Sequence, residues 1–173
     1  IINIGRLTYQ KDQITLLKAF VKLIKHKEAK LLLIGDGNDK YTLQNFIDKK
    51  GINRLVKIIP YVKNPFKYVM ASDVKVLSSR FEGNPNILLE IACLKKLIIS
   101  SDSKVGPREI LQSGKGGLLF KVGKIDKLYY LLRNLDINSK KIKKKINTSF
   151  NYVIKNYQKD ISISFIKLIK NIS

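Results

Sequence analysis

Cysteine occurs once in this chain of 173 residues, at Cys93, which excludes an internal disulfide and a thiol-rich metal site and points to a reducing, cytoplasmic setting. Its place in an apolar segment reads as a small core residue. Histidine also occurs once, as His26 on a polar helix face, where it reads as solvated. No apolar run reaches the roughly 18 residues that a transmembrane helix needs. No signal peptide is visible, because the chain opens on the strand-like Ile1-Ile2-Asn3-Ile4 instead of a basic segment followed by an apolar one. The first residue is isoleucine and the one methionine is Met70, so the sequence is expected to be a piece of a longer protein.

Acidic residues are scarce as well: 13 Asp and Glu face 34 Lys and Arg, for a formal charge of +21. The excess is lysine, since arginine stands only at positions 6, 54, 80, 108 and 133. Lysine travels here with abundant Ile and Asn, the trio that an AT-rich coding sequence produces. The charge therefore reads first as solvated surface, not as a polyanion site, and no nucleic-acid partner is expected. A basic nucleic-acid protein on an α/β scaffold is the weaker reading, and steeply salt-dependent binding to random DNA is what it would require. Long-range attraction to phosphorylated ligands follows in either case. Peripheral association with an anionic membrane, at the inner face of the cytoplasmic membrane, is compatible with it.

Strand-like and helix-like segments alternate along the chain. Ile1–Ile4 reads as a strand, and Asp12 as the cap of a helix with Ile14, Leu17, Val21 and Ile24 on its apolar stripe. Ala29–Ile34 is a continuous apolar strand running into the turn Gly35-Asp36-Gly37, followed by a helix over Lys40–Lys50 that ends at Gly51. Strands are expected at Val56–Ile59, Asp73–Ser78, Lys96–Ser100 and Gly116–Phe120. Helices are expected at Pro65–Ala71, after Pro85 and over Ile125–Asn134. From Asn138 the chain is helical and basic, with Ile142, Ile146, Phe150, Val153, Ile154 and Tyr157 as its apolar stripe and Lys140, Lys141, Lys143, Lys144 and Lys145 around it. Six apolar strands separated by helices imply an α/β fold: a parallel sheet with helices on both faces, whose ligands bind beyond the carboxyl ends of the strands.

One string of 13 residues carries the chemistry: Ser78-Ser79-Arg80-Phe81-Glu82-Gly83-Asn84-Pro85-Asn86-Ile87-Leu88-Leu89-Glu90. A glycine permits a sharp turn, Asn84 suits an N-cap, and Pro85 suits the first helical position. The amides of Asn86, Ile87 and Leu88 are then donors at the positive end of a helix, a ready anion site. Glu82 stands before that end, and Glu90 lies one turn beyond Asn86 on the same face. An anion on the amides, with a carboxylate on each side to grip hydroxyls, is the layout a sugar nucleotide needs. Upstream, Gly5-Arg6-Leu7 follows the first strand, and Lys11 comes five residues after Arg6. A cation about 4 Å from a leaving diphosphate contributes on the order of 4 kcal/mol at an effective dielectric near 20, before desolvation. Arg6 would offer a rigid fork and Lys11 a point charge.

The string resembles the E-x7-E signature of the retaining GT-B glycosyltransferases, particularly family 4 (glycosyl transferases group 1), in the form S-x-F-E-G-x-P-N-I-L-L-E-A. Only the final alanine differs, as Ile91. Gly5-Arg6-Leu7 with Lys11 resembles the family's G-R-L-x3-K motif. The resemblance implies that residues 1–158 are a Rossmann-like nucleotide-sugar-binding domain, one half of a GT-B fold. Residues 159–173 would form a C-terminal helix that crosses to an N-terminal domain. It implies that Arg6 and Lys11 hold the donor diphosphate, that Glu82 touches hydroxyls of the transferred sugar, and that Glu90 touches the ribose hydroxyls. Gly5, Gly83, Asn84, Pro85, Asn86, Ile87 and Leu88 would complete the donor site, and Glu82, Arg6 and Lys11 are the catalytic candidates. Gly106-Pro107-Arg108-Glu109 and Gly116-Gly117-Leu118-Leu119 resemble further family loops, the first framing the donor pocket and the second serving strand packing.

Departures are equally specific. Pro60 stands where the family often has a glycine near the nucleobase, and Ala92-Cys93-Leu94-Lys95-Lys96-Leu97 lacks the Gly and Pro that follow the E-x7-E helix, which loosens the expected helix stop. There is no D-x-D to bridge a metal to a diphosphate, so no metal and no cofactor are expected. The activity implied is hexose transfer with retention, from a nucleotide diphosphate sugar to a glycan or lipid-linked acceptor held by an N-terminal domain, in bacterial surface polysaccharide synthesis. The alternative is a donor-binding subunit or truncated module that is inactive without a partner supplying the acceptor domain.

Overall fold

The computed structural model describes residues 1–83, 85–103 and 105–157. The expected helix at 159–173 and the expected cap Asn84 lie outside the described residues. Within them, six strands alternate with helices in the order β1 (Ile2–Ile4), α1 (Gln13–Leu23), β2 (Leu31–Ile34), α2 (Lys40–Lys49), β3 (Val56–Ile59), α3 (Phe66–Met70), β4 (Val74–Leu77), α4 (Asn86–Cys93), β5 (Leu97–Ser101), α5 (Pro107–Ile110), β6 (Leu118–Phe120), α6 (Ile125–Arg133) and α7 (Lys140–Asn156). Every strand pair is parallel, in the spatial order β3-β2-β1-β4-β5-β6. The fold is the Rossmann-like α/β arrangement expected from the alternation. The short helix α5 is additional, in a stretch expected to be a loop.

Burial on both faces explains why the strands read as continuous apolar runs. One core cluster joins Leu16, Leu17, Phe20 and Leu23 of α1 to Leu31, Leu33, Val74, Val76 and Ile99 of the sheet and to Leu128 and Leu132 of α6. The other joins Ile2, Ile34, Leu77 and Ile98 to Val69 of α3, Leu88, Leu89, Ile91 and Ala92 of α4, Ile110 of α5 and Val153 of α7. Two expected stripes shift by a fraction of a turn. On α1, Leu17 is fully buried as expected, but the buried line runs through Leu16, Phe20 and Leu23, with Ile14, Val21 and Ile24 only half-buried. On α7, Ser149 is buried where the stripe skipped it, and Ile154 is exposed. Gly116 packs on Ser149 so closely that a Cβ at position 116 would lie 3.0 Å from the Ser149 Cβ.

Order β3-β2-β1-β4 places a topological switch point between β1 and β4, where successive crossovers run to opposite sides. The loops leaving these two neighbouring strands hold Arg6–Lys11 and Ser78–Pro85. The β1 loop is also zippered to the β2 loop, through Gly5 N to the Ile34 carbonyl (3.0 Å), Leu7 N to Asp36 (2.8 Å) and Asp39 N to Leu7 (3.0 Å). That approach is what Gly37 serves: it sits at φ +153°, and a Cβ would stand 2.3 Å from the Leu7 carbonyl oxygen. Gly37→Ala is therefore expected to destabilise the chain by about 2–3 kcal/mol. A thermal melt should show it as a fall of roughly 5–10 °C; an unchanged midpoint would refute the close-approach account.

Candidate donor site

Lys11 and Glu82, predicted separately, meet. The Lys11 ammonium donates to both carboxylate oxygens of Glu82, at 2.7 and 2.9 Å, and the Ser79 hydroxyl donates to Oε1 at 2.5 Å. The pair is largely removed from water, with side chains 16% and 4% exposed. An ammonium has three N–H donors, so one remains for another acceptor. Hydrogen bonds to main-chain carbonyls stitch the two loops that carry the pair: Arg80 N donates to the Gln10 carbonyl (2.8 Å), Gln10 Nε2 to the Phe81 carbonyl (3.2 Å) and Ser78 Oγ to the Lys11 carbonyl (3.1 Å). Arg6, one residue beyond Gly5, is exposed, and its guanidinium has no protein partner among the described residues.

Asp12 does not cap α1 in the expected way. Its backbone is left-handed, with φ 47°, which turns the carboxylate away from the helix amides. The buried carboxylate instead accepts from Thr15 Oγ1 at 2.9 Å and from Arg80 at 3.3 Å, and the Arg80 guanidinium lies 4.2 Å over the ring of Tyr9. Arg80 is thus a brace between the loops, a role that the bare sequence did not signal.

The start of α4 differs by one residue from the expectation. Pro85 occupies the position before the helix, not its first turn, and the Leu88 amide donates to the Pro85 carbonyl at 2.8 Å. Among the described residues, the amides of Asn86 and Ile87 have no acceptor, unlike that of Leu88, whose side chain is buried in the core. Gly83 does not take a positive φ, and a Cβ there would meet none of the described residues within 4 Å. Its value is open space, not the sharp turn. The loop before α5 closes over this segment: a Cβ on Gly106 (φ +84°) would sit 2.4 Å from the Gly83 carbonyl and 2.5 Å from Pro85 Cδ. The G-P-R-E stretch thus packs directly on the E-x7-E loop. At the other end of α4 the helix stop is intact without its glycine. Lys95 takes the left-handed conformation (φ 50°), and Lys96 N reaches back to the Ile91 carbonyl at 3.3 Å.

Asn86 and Glu90 share a helix face, and Glu90 is half-buried, with its carboxyl raised above the usual range by burial, against a smaller opposing pull from Lys75. A carboxyl that binds its proton more tightly in the folded chain destabilises it once ionised. Stability is full below the ordinary carboxylate range and falls as pH rises toward the raised value. Glu90→Gln is thus expected to raise the melting temperature at about pH 7 and to lose that advantage near pH 3. A gain that persists in acid would contradict the burial argument. The neighbouring Cys93 thiol is pushed up to about 11 by burial and by Glu90, as suits an inert core residue.

On the far side of β1, the Asp36 carboxylate accepts from the Tyr61 amide at 2.9 Å and from Lys40 at 2.8 Å, and the Lys40 bond, then the amide, holds it below the usual carboxylate range. This ties the Pro60-Tyr61 segment to the β2 loop. Among the described residues, no three His, Cys, Asp or Glu side chains gather to hold a metal ion, and no helix is long and apolar enough to cross a membrane.

Residues 1–151 match the family described as "Glycosyl transferases group 1". The chain belongs to that family. An uncharacterized glycosyltransferase of Methanocaldococcus jannaschii is 45% identical over 111 residues, covering 64% of this chain and 27% of its own length. The first three curated relatives are matched over only 27%, 36% and 32% of their lengths, so this group 1 chain spans about a third of such proteins. Among solved structures, a TarM variant from S. aureus superposes with a TM-score of 0.82 at 21% identity, over 98% of this chain and 34% of TarM. The C-terminal domain of LpcC, a group 1 protein from Francisella tularensis, superposes with a TM-score of 0.77 at 21% identity, over 90% of this chain and 85% of that domain. At these identities the two structures speak for the fold alone.

The sequence singled out Lys11, Glu82 and Glu90 of this group 1 domain but missed Lys75, a fully buried lysine on β4 beneath them. Its signal was present: a lone lysine within Val74-Lys75-Val76-Leu77, a strand already read as buried on both faces.

Proposed function

We propose that this chain is the donor-binding half of a retaining glycosyltransferase of the GT-B type, and that the complete enzyme transfers a hexose from a nucleotide diphosphate sugar to a glycan or lipid-linked acceptor in surface polysaccharide synthesis. One observation carries the reading. At the switch point, a buried Lys11–Glu82 pair with a spare N–H lies in the loops that also carry Arg6 and the Asn86 and Ile87 amides of α4, none of which has a partner among the described residues. Arg6, Lys11 and the amides of Asn86 and Ile87 would neutralise the diphosphate without a metal ion. Glu82 would receive sugar hydroxyls and Glu90 the ribose diol, since a carboxylate accepts several hydrogen bonds at once. Gly5 and Gly83 leave room for the ligand. The likeness to the C-terminal domain of LpcC supports the placing within a larger enzyme, and the S. aureus TarM structure is a complex that contains UDP.

In transfer, the bond from the sugar C1 to the β-phosphate oxygen breaks, and its electron pair leaves with the diphosphate. The acceptor oxygen bonds C1 on the same face, and its proton passes to the leaving phosphate oxygen. Both Glu82 oxygens already accept from Lys11, which favours a binding role for this carboxylate over attack on C1. The acceptor wall of the cleft would come from the remainder of the enzyme.

Calorimetric titration of the chain with UDP-, GDP- and ADP-sugars tests the donor site. Saturable binding of one nucleotide class is expected. Binding of none of them, with steeply salt-dependent binding to random DNA in its place, would overturn the reading.

A further inference from the structure

Lys75 stands in register with Ile2 of β1 and Ile98 of β5, and all three side chains are fully buried. Its immediate neighbours in the row are aliphatic, and Leu32, paired to Ile2, continues it on β2; the row's other lysine, Lys57 on the edge strand β3, is exposed. Along β4, Leu77 lies two residues on and packs on the α4 side with Ile2 and Ile98, so the lysine enters the core on that side. From there the amine reaches the carboxyl end of the sheet and donates to the Ile4 carbonyl at 3.1 Å, the residue immediately before Gly5-Arg6. That is its one hydrogen bond among the described residues, against three that an ammonium can make.

The charged groups that face this amine are few. Lys11 approaches from the β1 loop, Glu82 from the β4 loop and Glu90 from α4, while β1 and β5 present Ile2 and Ile98. Two of these charges, Lys11 and Glu82, already neutralise each other. Burial, then the Lys11 cation, holds the amine well below the usual lysine range, against a smaller opposing pull from Glu82 and Glu90. Anything that brings negative charge to Arg6 and Lys11 brings it over Lys75 as well.

We propose that Lys75 is a proton-accepting positioning residue beneath the donor site, whose amine takes up a proton from solvent when the donor diphosphate binds and returns it when the diphosphate leaves. The inference rests on the donor-site reading above. The ammonium so formed would counter the charge that Lys11, shared with Glu82, leaves uncovered. Its hydrogen bond to Ile4 would strengthen in the same step and hold the Gly5-Arg6 turn against the phosphates. Protons are conserved, since each amine converted to ammonium consumes one from the buffer.

The sign follows directly. A bound state that holds an extra proton binds more weakly as pH rises, so affinity should decline with rising pH below the ordinary lysine range in the unmodified chain and stay flat when Lys75 is replaced by methionine. The deciding measurement is titration calorimetry of the full chain with UDP, GDP and ADP, each at about pH 8 in HEPES, Tricine and Tris, buffers that differ in ionisation enthalpy. The nucleotide that binds should show a dependence of its heat on buffer that corresponds to uptake of several tenths of a proton, and Lys75→Met should abolish it. Binding with no buffer dependence, or with an equal dependence in Lys75→Met, overturns the role of Lys75 and leaves the donor site standing. Binding of no nucleoside diphosphate overturns both. Lys75→Met places an apolar stem among Ile2 and Ile98 and is expected to fold. Should it not, Lys75→Gln keeps a donor for the Ile4 carbonyl, cannot gain the proton, and is read in the same way.

Discussion

Lys11→Met is expected to lower the stability of the chain by about 3 kcal/mol, because it strands a carboxylate that is almost wholly buried. Glu82 is 4% exposed, and after the substitution only the Ser79 hydroxyl, among the described residues, still donates to it. In a domain of this size the loss corresponds to a fall of roughly 6–12 °C in melting temperature. The control is the double variant Lys11→Met, Glu82→Gln, which removes both charges and leaves Ser79 a neutral partner. It should regain most of the lost stability, since deleting a buried pair costs far less than breaking it. It should not regain nucleotide binding, because the N–H left over on Lys11 is gone in both variants. Thermal melts and titration of the two variants together separate the structural share of Lys11 from its share in the donor site. Equal melting temperatures for the single variant and the unmodified chain would mean that the pair is solvated and that Glu82 is not held by Lys11.

Arg6→Ala is expected to do the opposite. Its guanidinium is exposed and unpaired among the described residues, so stability should stay within about 0.5 kcal/mol of the starting chain. Affinity for the nucleoside diphosphate should fall by about 1.5–3 kcal/mol, the range for a hydrogen bond to a charged group, or roughly 10- to 150-fold. Arg6→Lys should recover only part of this, because a point charge cannot reproduce the fork that grips two phosphate oxygens. Calorimetry and a melt on the same samples check both halves of the expectation. Undiminished affinity in Arg6→Ala would remove this residue from the diphosphate site.

The contrast between these two cations was not legible in the sequence. Arg6 and Lys11 looked alike there, as two positive residues after one strand. Folding left one exposed, without a partner among the described residues, and made the other half of a buried pair. In the same way, Asp12 read as a helix cap, and the left-handed turn at that residue diverted its carboxylate to Thr15 and Arg80. Lys95 took the conformation that a missing glycine would have supplied. Such roles depend on backbone angles and on neighbours some 70 residues away in the chain, as with Lys11 and Glu82 at a separation of 71.

What the sequence determined by itself was the sheet and the address of the candidate site. Strands buried on both faces are predominantly apolar, the helices between them alternate apolar and polar positions, and the turns proposed to bind phosphate follow strand ends, so all three are written as local patterns. The Glu82–Glu90 string and Gly5-Arg6-Leu7 are patterns of that kind. Only the tertiary structure decided which charges meet: that Lys11 is shared with Glu82, that Gly106 closes on Gly83, and that Lys75 lies beneath the pair. Coulomb energies and desolvation depend on distance and burial, which emerge when strands β1 and β4, apart in the chain, become neighbours in the sheet.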